Sequence, residues 1–134
     1  MPTRKLIVPE GMENIHDTYH YAPGILVGDT LYISGQVGRD ETLQVVEGAE
    51  AQFAQAFENV GKVLRAAGAG FDDVVEMETW FAGSMADLKT FMAVKDRYFT
   101  RRYPTWTGFA VNGFSMPGIL VEIKCTAILG LADA

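Results

Sequence analysis

Residues 119–128 alternate without a break: Val121, Ile123, Cys125 and Ala127 fall on one side, and Leu120, Glu122, Lys124 and Thr126 on the other. Side chains of a strand point to opposite faces in turn, so this run specifies a strand with one covered face and one open face. A chain that carries it must supply a layer for the apolar side. Two segments can do so. Between Ala49 and Ala67, Phe53, Ala56, Phe57, Val60, Leu64 and Ala67 recur at helical spacing, and Gly68 stops the helix. From Met85 to Arg102 a second helix sets Leu88, Phe91, Met92, Tyr98 and Phe99 on one side.

The remaining segments read as strands. Residues 4–8 form a short one, and Pro9, Gly11, Pro23 and Gly24 punctuate a loop-rich stretch over 9–24. Val27-Gly28-Asp29 is a hairpin turn with a strand on either side. The second of these, Thr30 to Gln36, opposes Leu31 and Ile33 to Thr30, Tyr32, Ser34 and Gln36. Residues 73–82 oppose Val75, Met77, Thr79 and Phe81 to Val74, Glu76, Glu78 and Trp80. Two closing strands, near 106–112 and 119–128, are joined by a turn at Asn112-Gly113. The order β-β-β-α-β-α-β-β predicts a single α+β domain over residues 1–134, with one mixed sheet and two helices packed on one face.

The far face of that sheet pools Tyr32, Ser34, Trp80, Leu120, Glu122 and Trp106. The chain has no further element to cover it. Large aromatics around a carboxylate make an exposed apolar patch with polar groups set in it, which points to an interface or a ligand groove. The expectation is a homo-oligomer whose far faces pack together and leave clefts between subunits.

Composition narrows the function. Of 134 residues, 49% are hydrophobic and 21% charged, which excludes a disordered chain. Eleven basic residues against seventeen acidic ones give a net charge of −6, a field that repels phosphate backbones, so nucleic acid is not an expected partner. A lone cysteine, Cys125, can make neither an internal disulfide nor a cysteine-based zinc site. No apolar run approaches the roughly 18 residues of a spanning helix, and no membrane association is expected. Met1-Pro2-Thr3-Arg4-Lys5 leads into only three apolar residues, which is not a signal peptide; the expected location is the cytoplasm.

Several motifs are bland on inspection. His16-Asp17-Thr18-Tyr19-His20 spaces two histidines four apart, but no third metal ligand accompanies them in this loop-rich stretch. Gly35-Gln36-Val37-Gly38 follows a strand yet matches neither nucleotide-binding fingerprint, so it reads as a tight turn. Cys125 lies on the helix-facing side and reads as an inert core thiol. Ser34 and Glu122 differ, because a polar residue among far-face aromatics needs a partner or a ligand. Lys95, Arg97, Arg101 and Arg102 cluster on and after the second helix; a solvated helix end and capture of an anionic ligand are both open.

The segment Tyr21-Ala-Pro-Gly-Ile-Leu-Val-Gly-Asp-Thr-Leu-Tyr-Ile-Ser-Gly-Gln-Val-Gly38 resembles the opening signature of the RidA/YjgF family. Ala51 to Gly70 resembles its first helix and Ala-Ala-Gly turn; Asp72-Asp73-Val74-Val75, Met85 to Leu88 and Val94 to Phe99 resemble the next strand and helix. Pro104-Thr105-Trp106-Thr107 and Leu120-Val121-Glu122-Ile123 fall where the two C-terminal motifs lie. The resemblance implies a chorismate-mutase-like fold in a homotrimer, its sheets forming a central barrel, with a small-molecule ligand in three inter-subunit clefts. It implies hydrolysis of reactive imines or enamines to a carbonyl compound and ammonia, without metal or organic cofactor. Carried over by motif, Glu122 positions the attacking water and Tyr21 and Ser34 match cleft residues; Lys95, Trp106 and Thr107 are expected to bind substrate with them, Trp106 by stacking and Lys95 as an anion anchor.

Two positions depart from the family's pattern. Its deaminases carry an arginine where this chain has Trp106, and often an asparagine where it has Lys95. The guanidinium fork grips a carboxylate bidentately, whereas an indole has one N–H donor. The exchange argues against plain 2-iminoacid deamination unless Lys95, Arg101 or Arg102 supplies the charge. It leaves two readings: a hydrolase of another imine, enamine or related metabolite, and a trimer of the same family that binds a small metabolite without turnover. A ribonuclease role, described for some relatives, runs against the acidic charge.

Overall fold

Strict alternation builds the sheet and helical periodicity builds the layer upon it. The computed structural model describes residues 3–134; Met1 and Pro2, part of the start read above, lie outside the described residues. The strands are β1 (Arg4–Ile7), β2 (Gly24–Val27), β3 (Thr30–Ile33), β4 (Gln36–Val37), β5 (Val74–Ala82), β6 (Thr105–Val111) and β7 (Val121–Ile128). They form one sheet in the order β1-β2-β3-β7-β5-β6, with β4 also paired to β7. Among the described residues, the β5–β6 pair alone is parallel. The helices are α1 (Glu13–Asp17), α2 (Ala49–Ala66) and α3 (Leu88–Lys95). Among the described residues no helix is long and apolar enough to cross a membrane.

The covered face is the one the alternation specifies. Val121, Ile123, Cys125 and Ala127 are buried, as are Leu31 and Ile33, beneath Phe53, Ala56, Phe57, Val60 and Leu64 of α2. Phe53 and Phe91 meet edge to face with ring centres 5.4 Å apart, and Phe57 stacks on Tyr98 at 4.9 Å, which fastens α3 and its C-terminal turn to α2. Each such buried ring contributes about 1.5–3 kcal/mol by its transfer from water. At the end of α2 the Ala69 amide donates to the Leu64 carbonyl and the Gly68 amide to that of Arg65. This closure turns through Gly68 at φ +79°, where a side chain is strained.

The structure corrects the sequence reading at several points. The loop-rich stretch contains α1, five residues whose one buried side chain, Ile15, is too little for a periodic signal. The helix read over 85–102 is regular only over Leu88–Lys95, and the chain continues as a turn that still buries Phe99. The closing strands are not neighbours, because β5 lies between β6 and β7. A register shift at Val74/Glu76 turns Val74 inward in place of Val75.

The strand read over Thr30–Gln36 breaks. Tyr32 pairs with Thr126 and Gln36 with Ile123, so residues 33–35 span the space opposite only Lys124 and Cys125. This one-residue excess is a bulge that reverses the alternation. Gln36, expected on the far face, is therefore buried, and Gly35 faces outward beside Glu122. Trp106 is also displaced from its expected face. It pairs with Met77 in the β5–β6 register, packs 5.7 Å from Phe91 and bonds to Thr79, all on the helix side.

Candidate functional site

The bulge concentrates the far-face candidates. Ser34 sits in it, its hydroxyl donating to the Ala22 carbonyl at 2.6 Å and its amide to that of Pro23 at 2.9 Å. These bonds anchor the segment that carries Tyr21, whose ring is exposed. The next residue, Gly35, lies against Glu122, and a Cβ there would come within 2.6 Å of Oε2. Glu122 is flanked across the strands by Val37 and Trp80. Its carboxylate makes no ion pair among the described residues, and half-burial raises its pKa above the usual 4.5. A carboxylate held in this way is a better base near neutral pH than an exposed one.

Lys95 and Trp106 lie on the helix side, while Thr107 keeps the far face two strands away from Glu122. The Trp106 indole N–H donates to Oγ1 of the fully buried Thr79 at 2.9 Å. The Lys95 ammonium stands 5.7 Å above the indole ring and also pairs with Asp96 at 3.0 Å. Thr107 is exposed on the other side of edge strand β6, in register with Glu78. One chain thus sets the bulge of Ser34 and Gly35 beside Glu122, in contact only through Gly35, and holds the Lys95–Trp106 pair on the opposite side of the sheet.

The basic cluster is neutralised. Arg97 pairs with Glu50, Arg101 with Asp72 and Arg102 with Asp133. Arg101 and Arg102 are therefore occupied, which weakens both as replacements for the missing arginine. The paired histidines divide as well: His16 pairs with Asp17 at 2.9 Å, while His20 turns through a positive φ of 60°.

Sequence reasoning missed two buried amides that hold the site's floor. Asn59 Nδ2 donates to the carbonyls of Val37 and Arg39, both at 2.8 Å. Gln52 Nε2 donates to the carbonyls of Val46 and Gly118, and its Oε1 accepts from the Leu120 amide at 2.6 Å. Their signal was available: two amides seven residues apart on the buried side of α2 require partners.

Comparison with known proteins gives the family. The model of the endoribonuclease L-PSP family matches residues 12–129. The chain belongs to this family, the RidA/YjgF family. RutC family protein YjgH of Escherichia coli (strain K12) is 31% identical over 128 residues, covering 95% of this chain and 96% of the relative. Human 2-iminobutanoate/2-iminopropanoate deaminase is 36% identical over 112 residues, covering 82% of this chain and 80% of the relative. A solved structure of protein YJGH superimposes with a TM-score of 0.84 at 31% identity, covering 93% of this chain and 95% of that one. The α+β RidA fold of this family member is thus shared by sequence and by structure.

Proposed function

We propose that the protein hydrolyses a reactive imine or enamine to a carbonyl compound and ammonia, in a cleft that a second copy completes. The observation that carries this reading is the half-buried Glu122 carboxylate, without an ion pair among the described residues and against Gly35. Water held by Glu122 attacks the carbon of the protonated imine while the carboxylate takes a proton from it, giving a neutral carbinolamine. Glu122 gives that proton to the nitrogen, the C–N bond breaks to release ammonia, and the hydroxyl proton passes back to Glu122 as the carbonyl forms. An enamine enters by tautomerising to the imine. The relative named 2-iminobutanoate/2-iminopropanoate deaminase supports this reaction class.

The separation of the two residue groups across one sheet supports a cleft shared with a second copy. Lys95 and Trp106 face a different side from Glu122, and a neighbouring copy can bring them to it. Exposed Tyr32 and Phe109, each 53% accessible, and the open edge of β6 are surfaces for such packing. The family resemblance supports a homotrimer.

One observation favours the second reading, a metabolite-binding trimer without turnover: the indole N–H of Trp106 is spent on Thr79 and donates nothing to a substrate. Ammonia release from enzymatically generated aliphatic and aromatic imines, measured beside a Trp106→Arg variant, separates the readings. Acceleration by the natural protein supports hydrolysis. Saturable ligand binding with no ammonia from the natural protein supports the second reading.

A further inference from the structure

The Asn112-Gly113 pair does not form the hairpin turn that its sequence suggests. A two-residue Asn-Gly hairpin joins neighbouring strands and turns through a positive φ at both residues. Here β5 lies between β6 and β7, and neither Asn112 nor Gly113 has a positive φ. Close approach does not demand the glycine either, because a Cβ at Gly113 would meet nothing within 4 Å. Neither of the usual structural reasons for a glycine holds at this position.

The pair does carry a reaction. The backbone nitrogen that follows an asparagine can attack the side-chain amide carbon, and glycine leaves that approach open because it has no Cβ. Asn112 and Gly113 are both exposed, and the Gly113 amide has no backbone partner among the described residues. The other two asparagines are shielded. Asn14 lies within α1 and is followed by the β-branched Ile15. Asn59 is buried in α2, is followed by Val60, and has its Nδ2 bonded to two carbonyls. The flanks of the exposed pair are fixed: the Gly83 amide donates to the Val111 carbonyl at 2.7 Å, and Gln52 Nε2 to that of Gly118 at 2.9 Å.

We propose that Asn112 is a site of spontaneous deamidation. The Gly113 nitrogen gives up its proton to solvent base and bonds to Cγ of Asn112. The Cγ–Nδ2 bond breaks, and Nδ2 takes up a proton and leaves as ammonia. Water then opens the five-membered succinimide at either of its carbonyls, which leaves an aspartyl or an isoaspartyl linkage at position 112. The formal net charge moves from −6 to one unit more negative. The isoaspartyl product also lengthens the backbone by one methylene in the connection from β6 to β7, the strands that carry Trp106 and Glu122. The ammonia amounts to one equivalent per chain and needs no substrate, so it is distinct from turnover and independent of the hydrolytic reading.

Storage of the purified full-length protein in warm, mildly alkaline buffer tests the proposal, with isoelectric focusing, peptide mass mapping and labelling by an isoaspartyl methyltransferase as readouts. A form one charge more acidic is expected to accumulate over days. Its modification should map to the peptide that holds Asn112, with Asn14 and Asn59 intact. Gly113→Ala, which the open space at this position admits, is expected to slow the conversion about tenfold or more, the effect of a small added steric barrier. Asn112→Gln, whose amide would have to close a six-membered ring, is expected to abolish it. Melting curves check that both variants are folded. The natural protein alone can overturn the proposal, either by gaining no acidic form or by gaining one that maps to another residue. A folded Gly113→Ala variant that converts at the natural rate overturns it as well.

Discussion

Gly35 and Glu122 are in direct contact across the bulge, and any side chain at Gly35 would occupy the space of the carboxylate, with a Cβ 2.6 Å from Oε2. The contact explains why the turn after β3 needs a glycine. The reason is close approach and not a positive φ, since Gly35 is absent from the positive-φ glycines. Gly35→Ala is expected to displace Glu122 and lower kcat/KM for imine hydrolysis by about 10- to 100-fold, with an overpacking cost of about 1–3 kcal/mol. Parallel kinetics and thermal melts check both parts.

Glu122 sets a pH dependence. Burial raises its folded pKa above 4.5, so between the unfolded and folded values the folded protein binds more protons than the unfolded chain. Stability from this group is therefore present at low pH and lost as pH rises through that window. Melting temperatures of the natural protein and Glu122→Gln, compared from pH 4 to pH 8, should diverge in favour of the variant as pH rises. In turnover, the base form is required, so kcat/KM should climb with pH through the same raised pKa.

Trp106 and Thr79 form a second testable pair. Thr79 is fully buried, and the indole N–H is its partner at 2.9 Å. Trp106→Phe leaves that hydroxyl without its donor and is expected to cost about 1–3 kcal/mol. Adding Thr79→Val should recover part of the loss, and a double-mutant cycle by urea unfolding measures the coupling.

Asn59→Ala leaves the Val37 and Arg39 carbonyls without their side-chain donor. The Val37 carbonyl keeps the Arg39 amide as a donor, so the orphaned group is the Arg39 carbonyl, which costs about 1–3 kcal/mol, and a fall of the melting temperature by several degrees is expected. Faster amide exchange around residues 37–46 would place the damage at the site's floor.

Cys125 is 1% exposed, and burial pushes its thiol up to about 12. Alkylation by iodoacetamide at pH 8 should be negligible in the folded protein and prompt in urea.

The regular parts of this fold were legible because burial leaves a period. β7 and α2 each bury one side along their whole length, so Val121, Ile123 and Cys125, or Phe53, Phe57 and Val60, announce themselves. The bulge at 33–35 was not legible, since one extra residue changes the register without changing any residue's character. Its consequence, the inward turn of Gln36, is set by pairing to β7. Trp106 failed for a related reason. Edge strand β6 has exposed residues on both faces, so Thr105 to Val111 carry no clean alternation, and the Thr79 hydroxyl decides which way the indole turns. Ser34 and Glu122 stand out in the sequence as polar residues that need partners, and the Ser34 hydroxyl finds one in the Ala22 carbonyl.

The most direct test of the central claim is ammonia release from imines generated in situ, comparing the natural protein with Glu122→Gln at matched folded concentration. The account predicts measurable acceleration by the natural protein and a fall of about 10²- to 10⁴-fold in the variant, the usual contribution of a general base. Full turnover by Glu122→Gln would contradict it.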